Sequence, residues 1–352
     1  MGLKGKDIKA FVSFRRRVYC GDTQYVGTAE FILEMLLCGS THFARQCEIL
    51  PIAFERNGVR AAQALWIAAP RDEFAQLAFF DCLENDFDAA DGVISKAKEL
   101  TRARNLKRLV AGLNAHLSYG VGILTETSLK NTFDTCYNKT YYASFFDGFP
   151  VSNTLTAYRS TMAEARARLQ KVTAETKGYS VRKADFKRFK EECEIMRLLC
   201  DGTIGETYLY SKTEPQHFYE LLKDMKIILH ENNLLFLMHG GKEVGFLFWH
   251  PDFNGAVKAG KPVSTFSFAL ACAFCGKKID TVKLNSIGVE RGHRGLGTLA
   301  LLRAMNEAVG DRYKYIETNF VWDCNRESSL INSRLIGGEC RKFSVYECGT
   351  QD

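Results

Sequence analysis

One segment in the second half of the chain requires a strand, a glycine turn and a helix to follow one another directly. Lys283 to Val289 predict a strand, and residues 297–309 place apolar side chains at the spacing of a helix. Gly295 and Gly297 lie where these two elements meet. Glycine lets the backbone approach a ligand closely, and the unpaired N–H groups of a first helical turn attract anions. The segment therefore predicts a binding turn for phosphate.

Two known phosphate loops do not fit this turn. The segment has no Gly-Lys-Ser or Gly-Lys-Thr, so it is not a Walker loop, and its glycines lack the spacing of a dinucleotide fingerprint. A turn that only connects a strand to a helix stays open as an alternative, because short glycine motifs often occur without a ligand.

Strands and helices follow one another in the same order in both halves. The first half predicts strands within 50–80, a helix over Asp88 to Arg104 and a strand at Leu109 to Leu113. The second half predicts strands within 234–249, the strand and helix of the glycine turn, and a strand at Tyr315 to Val321. Helices are also expected at Tyr141 to Phe146 and over 160–177. This alternation predicts α and β layers with helices on both sheet faces, occurring twice.

The composition places the chain among globular proteins and limits its partners. Of 352 residues, 46% are hydrophobic and 25% charged, which excludes extensive disorder. No apolar run reaches the roughly 20 residues that a membrane-spanning helix needs, and the densest lies at Phe266 to Phe274. The N-terminus has no secretory signal. We therefore expect a cytoplasmic protein that has no membrane partner.

The charge distribution argues against nucleic acid as a partner. The net charge is +6, from 47 Lys and Arg against 41 Asp and Glu, and basic residues cluster at 15–17, 102–108 and 182–190. Such clusters can bind nucleic acid or an anionic cofactor. From Arg182 to Leu199, however, acidic residues interleave at helical spacing, which is typical of a solvated helix face. We expect no nucleic-acid partner, and an RNA- or DNA-associated protein that uses the arginine clusters stays open as a third interpretation.

A pair of cysteines has the spacing of zinc and redox sites. Cys272 and Cys275 form a C-x-x-C pair, but no second pair lies roughly 15 to 20 residues away, and the flanking residues are apolar. We interpret them as structural cysteines and predict no metal site.

The glycine turn and its flanks resemble the acetyl-CoA signature of GNAT acyltransferases. In that signature a strand ends in Val, and Arg or Gln followed by x-x-Gly-x-Gly/Ala comes five residues later at the head of a helix. Val289 matches the end of the strand, and the helix start is matched by Arg294, Gly295, Leu296, Gly297, Thr298 and Leu299. Leu299 departs from the usual Gly or Ala. An alternative register on Gly292, Gly295 and Gly297 keeps the glycines and loses the Arg or Gln.

Further motifs extend this resemblance over nearly the whole chain. Asn325 follows the strand from Tyr315 to Val321 and precedes a helix that ends ahead of Gly337, as in the next GNAT motif. Asn138 and Gly148 resemble the same motif in the first half. The chain is similar to a family of double GNAT-like proteins of similar length.

The resemblance implies an α+β fold with αβα layers. It would consist of two tandem GNAT-like halves, each a mixed, mostly antiparallel sheet flanked by helices. Residues 1–165 would form an N-terminal GNAT-like domain without a phosphate-binding turn, and residues 166–352 a C-terminal GNAT domain with the acetyl-CoA turn. Because the first half has no glycine-rich phosphate turn, the resemblance implies one acetyl-CoA site.

The resemblance also assigns the contacts to acetyl-CoA, or to CoA itself. Ile287 and Val289 belong to the strand that would contact this cofactor, and a backbone N–H near Val289 would bind the thioester carbonyl. Residues 294–299 would bind the pyrophosphate, largely through backbone N–H groups. Asn325 would hydrogen-bond the pantetheine arm or an ordered water.

Glu317 and Asn325 are the candidate catalytic residues. Glu317 lies on the strand beside the site, and it could act as a base, directly or through water, if burial raises its pKa toward neutrality. The alternative is a carboxylate paired with a nearby cation. Many GNAT enzymes carry a tyrosine four residues before the helix-ending glycine, where this chain has Ser333, or Arg334 if Gly338 is the equivalent glycine.

Together these residues predict an acetyl-CoA-dependent N-acyltransferase. Its acceptor would be a small-molecule or peptide amine, in a site shaped by the first half and by the loop with His250 and Asp252. The alternative is a GNAT-derived protein that binds acyl-CoA or another ligand without turnover, as the departures at Leu299 and Ser333 suggest. The acceptor, the acyl length and the oligomeric state are left open, because loops build acceptor pockets.

Overall fold

Thirteen strands form one continuous sheet in the computed structural model, which describes residues 5–70 and 72–349. The strands of the first half are β1 (Glu48–Arg56), β2 (Val59–Ala68), β3 (Phe74–Cys82), β4 (Arg108–Ala111), β5 (Ile123–Thr127) and β6 (Val151–Thr161). Those of the second half are β7 (Ser180–Lys183), β8 (Leu234–His239), β9 (Lys242–Pro251), β10 (Thr281–Val289), β11 (Tyr315–Thr318), β12 (Val321–Trp322) and β13 (Gly338–Gly349).

Ten α-helices of the described residues accompany this sheet. They are α1 (Gly5–Val18), α2 (Ala29–Leu37), α3 (His42–Gln46), α4 (Phe87–Ala103), α5 (Met162–Gln170), α6 (Phe189–Thr203), α7 (Pro215–Lys223), α8 (Thr265–Cys275), α9 (Leu296–Val309) and α10 (Arg326–Leu335). None of the helices within 5–70 and 72–349 combines the length and the apolar character needed to cross a bilayer.

Each half repeats one arrangement of strands, as the sequence predicts. β1, β2 and β3 pair antiparallel in succession, and β4 then pairs parallel with β3 after the chain has passed through α4. In the second half, β8, β9 and β10 pair antiparallel, and β11 pairs parallel with β10 after α9. Parallel neighbours need such a helical crossover. The α+β class with helix-flanked, mostly antiparallel sheets is thereby confirmed.

The two halves exchange their last strands. β6, from the first half, pairs with β11 of the second half, and β13, the last strand of the chain, pairs with β4 and β5 of the first half. β6 and β13 also pair with each other, which joins the halves into one sheet. The predicted domain boundary between residues 165 and 166 stays a prediction, since each half contributes a strand to the sheet of the other.

Local chemistry explains where several elements begin and end. Asn57 and Gly58 both have positive φ (53° and 74°), as a tight turn between β1 and β2 requires. The helix expected over 160–177 is shorter, because β6 extends to Thr161, whose side chain and Glu164 form a capping box at the start of α5. The helix expected at 141–146 is instead a 3-10 helix, Thr140–Phe146.

Candidate functional site

A cleft opens in the second half where β10 and β11 separate. The two strands pair in parallel only from Thr281 to Leu284, and the last contact is the Asn319 N–H donating to the Leu284 carbonyl at 2.9 Å. β10 continues to Val289, whereas the chain beyond Asn319 turns away to form β12 beside β6. Asn285 is an extra residue against β9, so a β-bulge marks the point of separation.

Ile287 and Val289 present their backbone groups to this cleft. The Glu290 N–H donates to the Val244 carbonyl at 3.0 Å, on the side of β9. Backbone groups of successive strand residues point to opposite sides, so those of Val289 and Ile287 point away from β9, toward the position that β11 has left. The strand residues predicted from the sequence therefore have amides available to a ligand.

The glycine turn leads directly into α9. Gly295 has φ 79°, a conformation that favours glycine, and the first helical hydrogen bond of this turn runs from the Leu299 N–H to the Gly295 carbonyl at 2.9 Å. The amides of Leu296, Gly297 and Thr298 have no acceptor within the helix. These are the three amides that the sequence analysis predicts to bind an anion.

Two residues of the turn, Gly297 and Leu299, determine how closely a ligand can approach its backbone. A Cβ at position 297 would lie 2.5 Å from Leu237 Cδ2, so glycine permits the close packing of this turn against β8. Leu299, the departure from the signature, is buried, with 6% of its surface exposed. Its side chain therefore does not cover the outer face of the turn.

Arg294 links the end of β10 to α10. Its Nε donates to the Val289 carbonyl at 3.3 Å, and its Nη1 lies 3.3 Å from the Glu327 carboxylate. The guanidinium is 43% exposed. The structure thus places a positive charge between the end of β10 and the start of α10, where an anion would compete with Glu327.

Trp322, on β12, and Asn325, at the start of α10, line the cleft on the side opposite β10. Asn325 caps α10 by accepting a hydrogen bond from the Ser328 N–H at 3.1 Å, and both residues line the cavity described below. The Trp322 indole N–H is buried and has no hydrogen-bond acceptor in the described part of the chain. A buried donor without a partner is costly to the fold.

Glu317 has a different environment from the one that a base requires. Its carboxylate is fully buried and accepts hydrogen bonds from Lys283 (3.0 Å), Arg341 (3.1 Å) and Arg159 (2.8 Å). Burial alone would raise the pKa of Glu317, but the charges of Lys283, Arg341 and Arg159 hold it well below its usual range. The paired-carboxylate interpretation fits this geometry, and the raised pKa expected of a base is not found.

A loop of the first half, residues 128–138, inserts into the second half and is anchored by this cluster. Thr132 Oγ1 donates to Glu317 at 2.9 Å, and Lys283 Nζ donates to Thr132 and Thr135 at 3.0 and 2.9 Å. Arg341 Nη2 donates to the Lys130 carbonyl at 2.6 Å. The buried charges therefore hold the inserted loop in one position.

Asp134, at the centre of the inserted loop, reaches the β-bulge of β10. Its carboxylate accepts a hydrogen bond from the Asn285 side chain and lines the cavity with a quarter of its side-chain surface exposed. Burial raises the pKa of Asp134 to about 7, against the opposing charge of Lys283 and the hydrogen bond from Asn285. The sequence analysis missed this residue, because no local motif surrounds it.

His250 and Asp252, expected to shape the acceptor site, support the inserted loop. His250 is fully buried, its Nδ1 donates to the Pro251 carbonyl at 2.8 Å, and its Nε2 lies 4.0 Å from Asp134. Burial lowers the pKa of His250 to about 4, so it is neutral near pH 7. Asp252 accepts the Phe133 N–H at 2.7 Å. These residues set the position and environment of Asp134.

The equivalent cleft of the first half is closed by the protein itself. β3 and β4 pair only as far as Leu77 and Ala111, but the Phe79 N–H beyond them donates to Asn114 Oδ1 at 2.8 Å. Asp86 caps α4 by accepting the Ala89 N–H at 3.3 Å. A carboxylate at this helix start opposes a phosphate group, which agrees with the absence of a glycine-rich phosphate turn from the first-half sequence.

A cavity of about 1010 Å³ extends from the cleft of the second half to residues of the first half. Its walls include apolar and aromatic side chains from both halves, among them Phe79, Phe80, Tyr142, Phe133, Phe248, Leu284 and Trp322. Ile287, Asn325 and Asp134 line the same cavity, whereas Glu317 and the turn at 294–299 do not. Within 5–70 and 72–349, no group of three His, Cys, Asp or Glu side chains is placed to hold a metal ion.

Comparison with known proteins identifies the fold. No protein-family model matches the chain, and no curated protein matches it in sequence. Among solved structures, a tandem GNAT protein from the clavulanic acid biosynthesis pathway, determined without acetyl-CoA, matches 99% of this chain and 97% of its own, with 11% identity and a TM-score of 0.59. A GCN5-related N-acetyltransferase from Sphaerobacter thermophilus covers 99% and 94%, with 10% identity and a TM-score of 0.56.

A third structure extends this likeness. A conserved protein from Enterococcus faecalis V583, described as a probable N-acyltransferase, matches 100% of this chain and 72% of its own, with 7% identity and a TM-score of 0.58. All three likenesses extend over both halves. The chain therefore has the tandem GNAT fold that the sequence resemblance implies.

Proposed function

We propose that this tandem GNAT-fold protein is an acyltransferase, which binds acetyl-CoA in the cleft of its second half and acetylates an amine held in the cavity between the halves. One observation carries this proposal. Asp134, a carboxylate from the first half, stands at the bulge where β10 and β11 separate, and it lines the same cavity as Ile287, two residues further along β10.

The residues of the cleft fit acetyl-CoA as a ligand. The amides of Leu296, Gly297 and Thr298 would hold the pyrophosphate together with Arg294, and Ile287 and Val289 would hold the thioester carbonyl. Bound there, acetyl-CoA supplies an activated acyl group. Asn325 lines the same cavity as Ile287.

Asp134 is the group suited to accept the proton of the attacking amine. Its raised pKa of about 7 lets it bind a proton readily while part of the population is ionised near neutral pH. The neutral His250 imidazole and the Asn285 amide hold the carboxylate without adding a charge. The cavity would hold the amine against Asp134 and exclude water.

No side chain is assigned as the proton donor to the leaving thiolate. Ser333, at the position where many GNAT enzymes have tyrosine, is exposed and donates to the Leu330 carbonyl at 3.1 Å. It does not line the cavity. A thiolate is a good leaving group, so water suffices as its proton source.

Calorimetric titration of acetyl-CoA tests the donor site. Wild type is expected to bind in the micromolar range, and Arg294→Glu to lose this affinity, because the substitution opposes the pyrophosphate. Arg291→Glu is the matched control, since Arg291 is 75% exposed, three residues earlier, and paired with Glu206. Equal affinities in all three proteins, or none up to millimolar concentration, would contradict the proposed site.

Thiol release across a panel of primary amines tests turnover. The departures at Leu299 and Ser333 favour a second candidate, a protein that binds acyl-CoA without transferring the acyl group. Release of CoA that depends on the amine, and is lost in Asp134→Asn, supports the transferase. Binding without release across the whole panel supports the second candidate.

A further inference from the structure

The connection between β9 and β10 is much longer than its equivalent in the first half. β9 and β10 are adjacent antiparallel strands, yet the chain between them covers residues 252–280. In the first half, β2 and β3 occupy the same places and are joined by residues 69–73. The additional segment contains α8, the apolar run noted in the sequence.

α8 is apolar on both sides. Phe268 is buried and packs against Phe31 and Phe133, with ring centroids 5.8 and 5.6 Å apart, which fixes the helix to the protein. On the outer side, Phe266 and Phe274 are 78% and 80% exposed. The exposed set is completed by Ala269, Leu270 and Ala273, and we call these five residues the α8 stripe.

The spacing of the α8 stripe makes it continuous. Its members lie at positions i, i+3, i+4, i+7 and i+8, which share one face of a helix. No charged residue occurs from Phe266 to Cys275. Solvent-exposed helices normally carry charged residues on this face, so an apolar face of this kind marks an interaction surface.

The charge around the stripe favours an anionic partner. From Phe253 to Ile279 the sequence contains four lysines and no Asp or Glu. Lys258 and Lys261 before the helix and Lys278 after it are exposed. An apolar helix face with lysines at its ends complements a surface that is anionic outside and apolar within. An anionic phospholipid bilayer has this structure.

We propose that the α8 stripe docks the protein on anionic phospholipid bilayers, with the helix lying in the plane of the interface. Its 11 residues extend about 16 Å, too short to span a bilayer, and no described helix does so. The expectation of no membrane partner rested on the absence of a membrane-spanning run and of a secretory signal, and this proposal revises it.

The position of α8 links docking to the cavity. Thr265, Phe268 and Ala269 line the cavity that contains Asp134. Docking by α8 is independent of the proposed chemistry. Its consequence, that the acceptor is an amphiphilic amine delivered from the bilayer, rests on the proposed acyltransferase function.

Sedimentation of the full chain with phosphatidylcholine vesicles, with and without phosphatidylglycerol, tests the docking. Wild type is expected to bind the anionic vesicles and to bind pure phosphatidylcholine at least tenfold more weakly. The triple variant Phe266→Ser, Leu270→Ser and Phe274→Ser is expected to lose more than tenfold in binding to anionic vesicles. Lys258→Glu with Lys261→Glu is expected to lose the preference for phosphatidylglycerol.

The matched control changes three exposed apolar side chains elsewhere on the surface. Val59, Val151 and Leu198 are 55%, 53% and 56% exposed, and their replacement by Ser is expected to leave vesicle binding unchanged. Circular dichroism and urea unfolding establish that each variant is folded without relying on acetyl-CoA binding, so loss of docking and failure of the proposed chemistry are separable.

Three results would overturn the docking proposal. They are no binding of wild type to either vesicle, equal binding of wild type and the stripe variant, and a dimer of wild type in sedimentation equilibrium that the stripe variant converts to a monomer. The last would assign the stripe to a second copy of the chain.

Discussion

Asp134, from the first half of the chain, accepts a hydrogen bond from the side chain of Asn285, the bulge residue of β10 in the second half. This contact places a carboxylate of one half at the point where the cleft of the other half opens. Neither half alone contains the proposed site. The tandem arrangement thereby supplies the cleft from one half and the base from the other.

Asp134→Asn is expected to lower the rate of amine acetylation by about 10²- to 10⁴-fold, because an amide cannot accept the proton. The substitution preserves size, and the donor contacts lie on other residues, so affinity for acetyl-CoA is expected to stay within about twofold. Steady-state rates and calorimetry check both statements. Asp147→Asn, at an exposed position, is the control. An unchanged rate would remove Asp134 from the mechanism.

The pH dependence of wild type follows from the same carboxyl. Its raised pKa of about 7 means that it is protonated, and inactive as a base, in acid. The rate of acetylation is expected to rise with pH through about 7 and then level. In Asp134→Asn this acid limb should be absent. A limb that persists in the variant would assign it to another group, such as the acceptor amine.

The contribution of Asp134 to protein stability should fall as pH rises, whereas the rate of acetylation should increase. A carboxyl whose pKa is raised by folding binds its proton more tightly in the folded state, so its contribution falls as pH rises from its unfolded pKa toward 7. The free energy of unfolding of Asp134→Asn, relative to wild type, is therefore expected to increase from pH 4.5 to 7.5. Urea unfolding at several pH values measures it. A constant difference would contradict the raised pKa.

Glu317→Gln is expected to destabilise the fold by about 3 to 5 kcal/mol, since it leaves Lys283 and Arg341 buried without their counter-charge. The lowered pKa of Glu317 gives stability that is present above its unfolded pKa and lost in acid. Urea unfolding near pH 7 tests this. Glu73→Gln removes an exposed partner of Lys107 and serves as the control with little expected effect. A stable Glu317→Gln protein that is inactive would restore Glu317 as a catalytic candidate.

The parts of the site that the sequence predicts are those that local spacing defines. The strand to Val289, the turn at Gly295 and the helix after Asn325 each depend on residues a few positions apart, and all three are found as expected. Contacts between residues that are far apart in the sequence are not predicted by local spacing. Asn285 and Asp134 are 151 positions apart, and no periodicity or motif in one segment reports on the other.

The same distinction explains the outcome for Glu317. Its position on a strand beside the cleft is predictable from the order of elements, but its charge environment is not. Lys283 comes from the neighbouring strand, Arg159 from the exchanged strand β6, and Arg341 from the end of the chain. Strand exchange between the halves brings these cations together. An argument from the burial of Glu317 alone therefore predicts a raised pKa, whereas the cations lower it.

Asn285→Ala should separate positioning of the base from the base itself. The Asn285 hydrogen bond favours the ionised carboxylate, so its loss is expected to raise the pKa of Asp134 and to move the acid limb of the rate to higher pH. At a pH well above the limb, the rate should recover much of the wild-type value, whereas Asp134→Asn should recover nothing. Asn285→Asp places a second carboxyl beside Asp134. It should move the acid limb to a still higher pH, because two carboxyls would share one site. A uniform loss of rate at every pH in Asn285→Ala, with no movement of the limb, would show that Asn285 supports the fold of β10 and does not position Asp134.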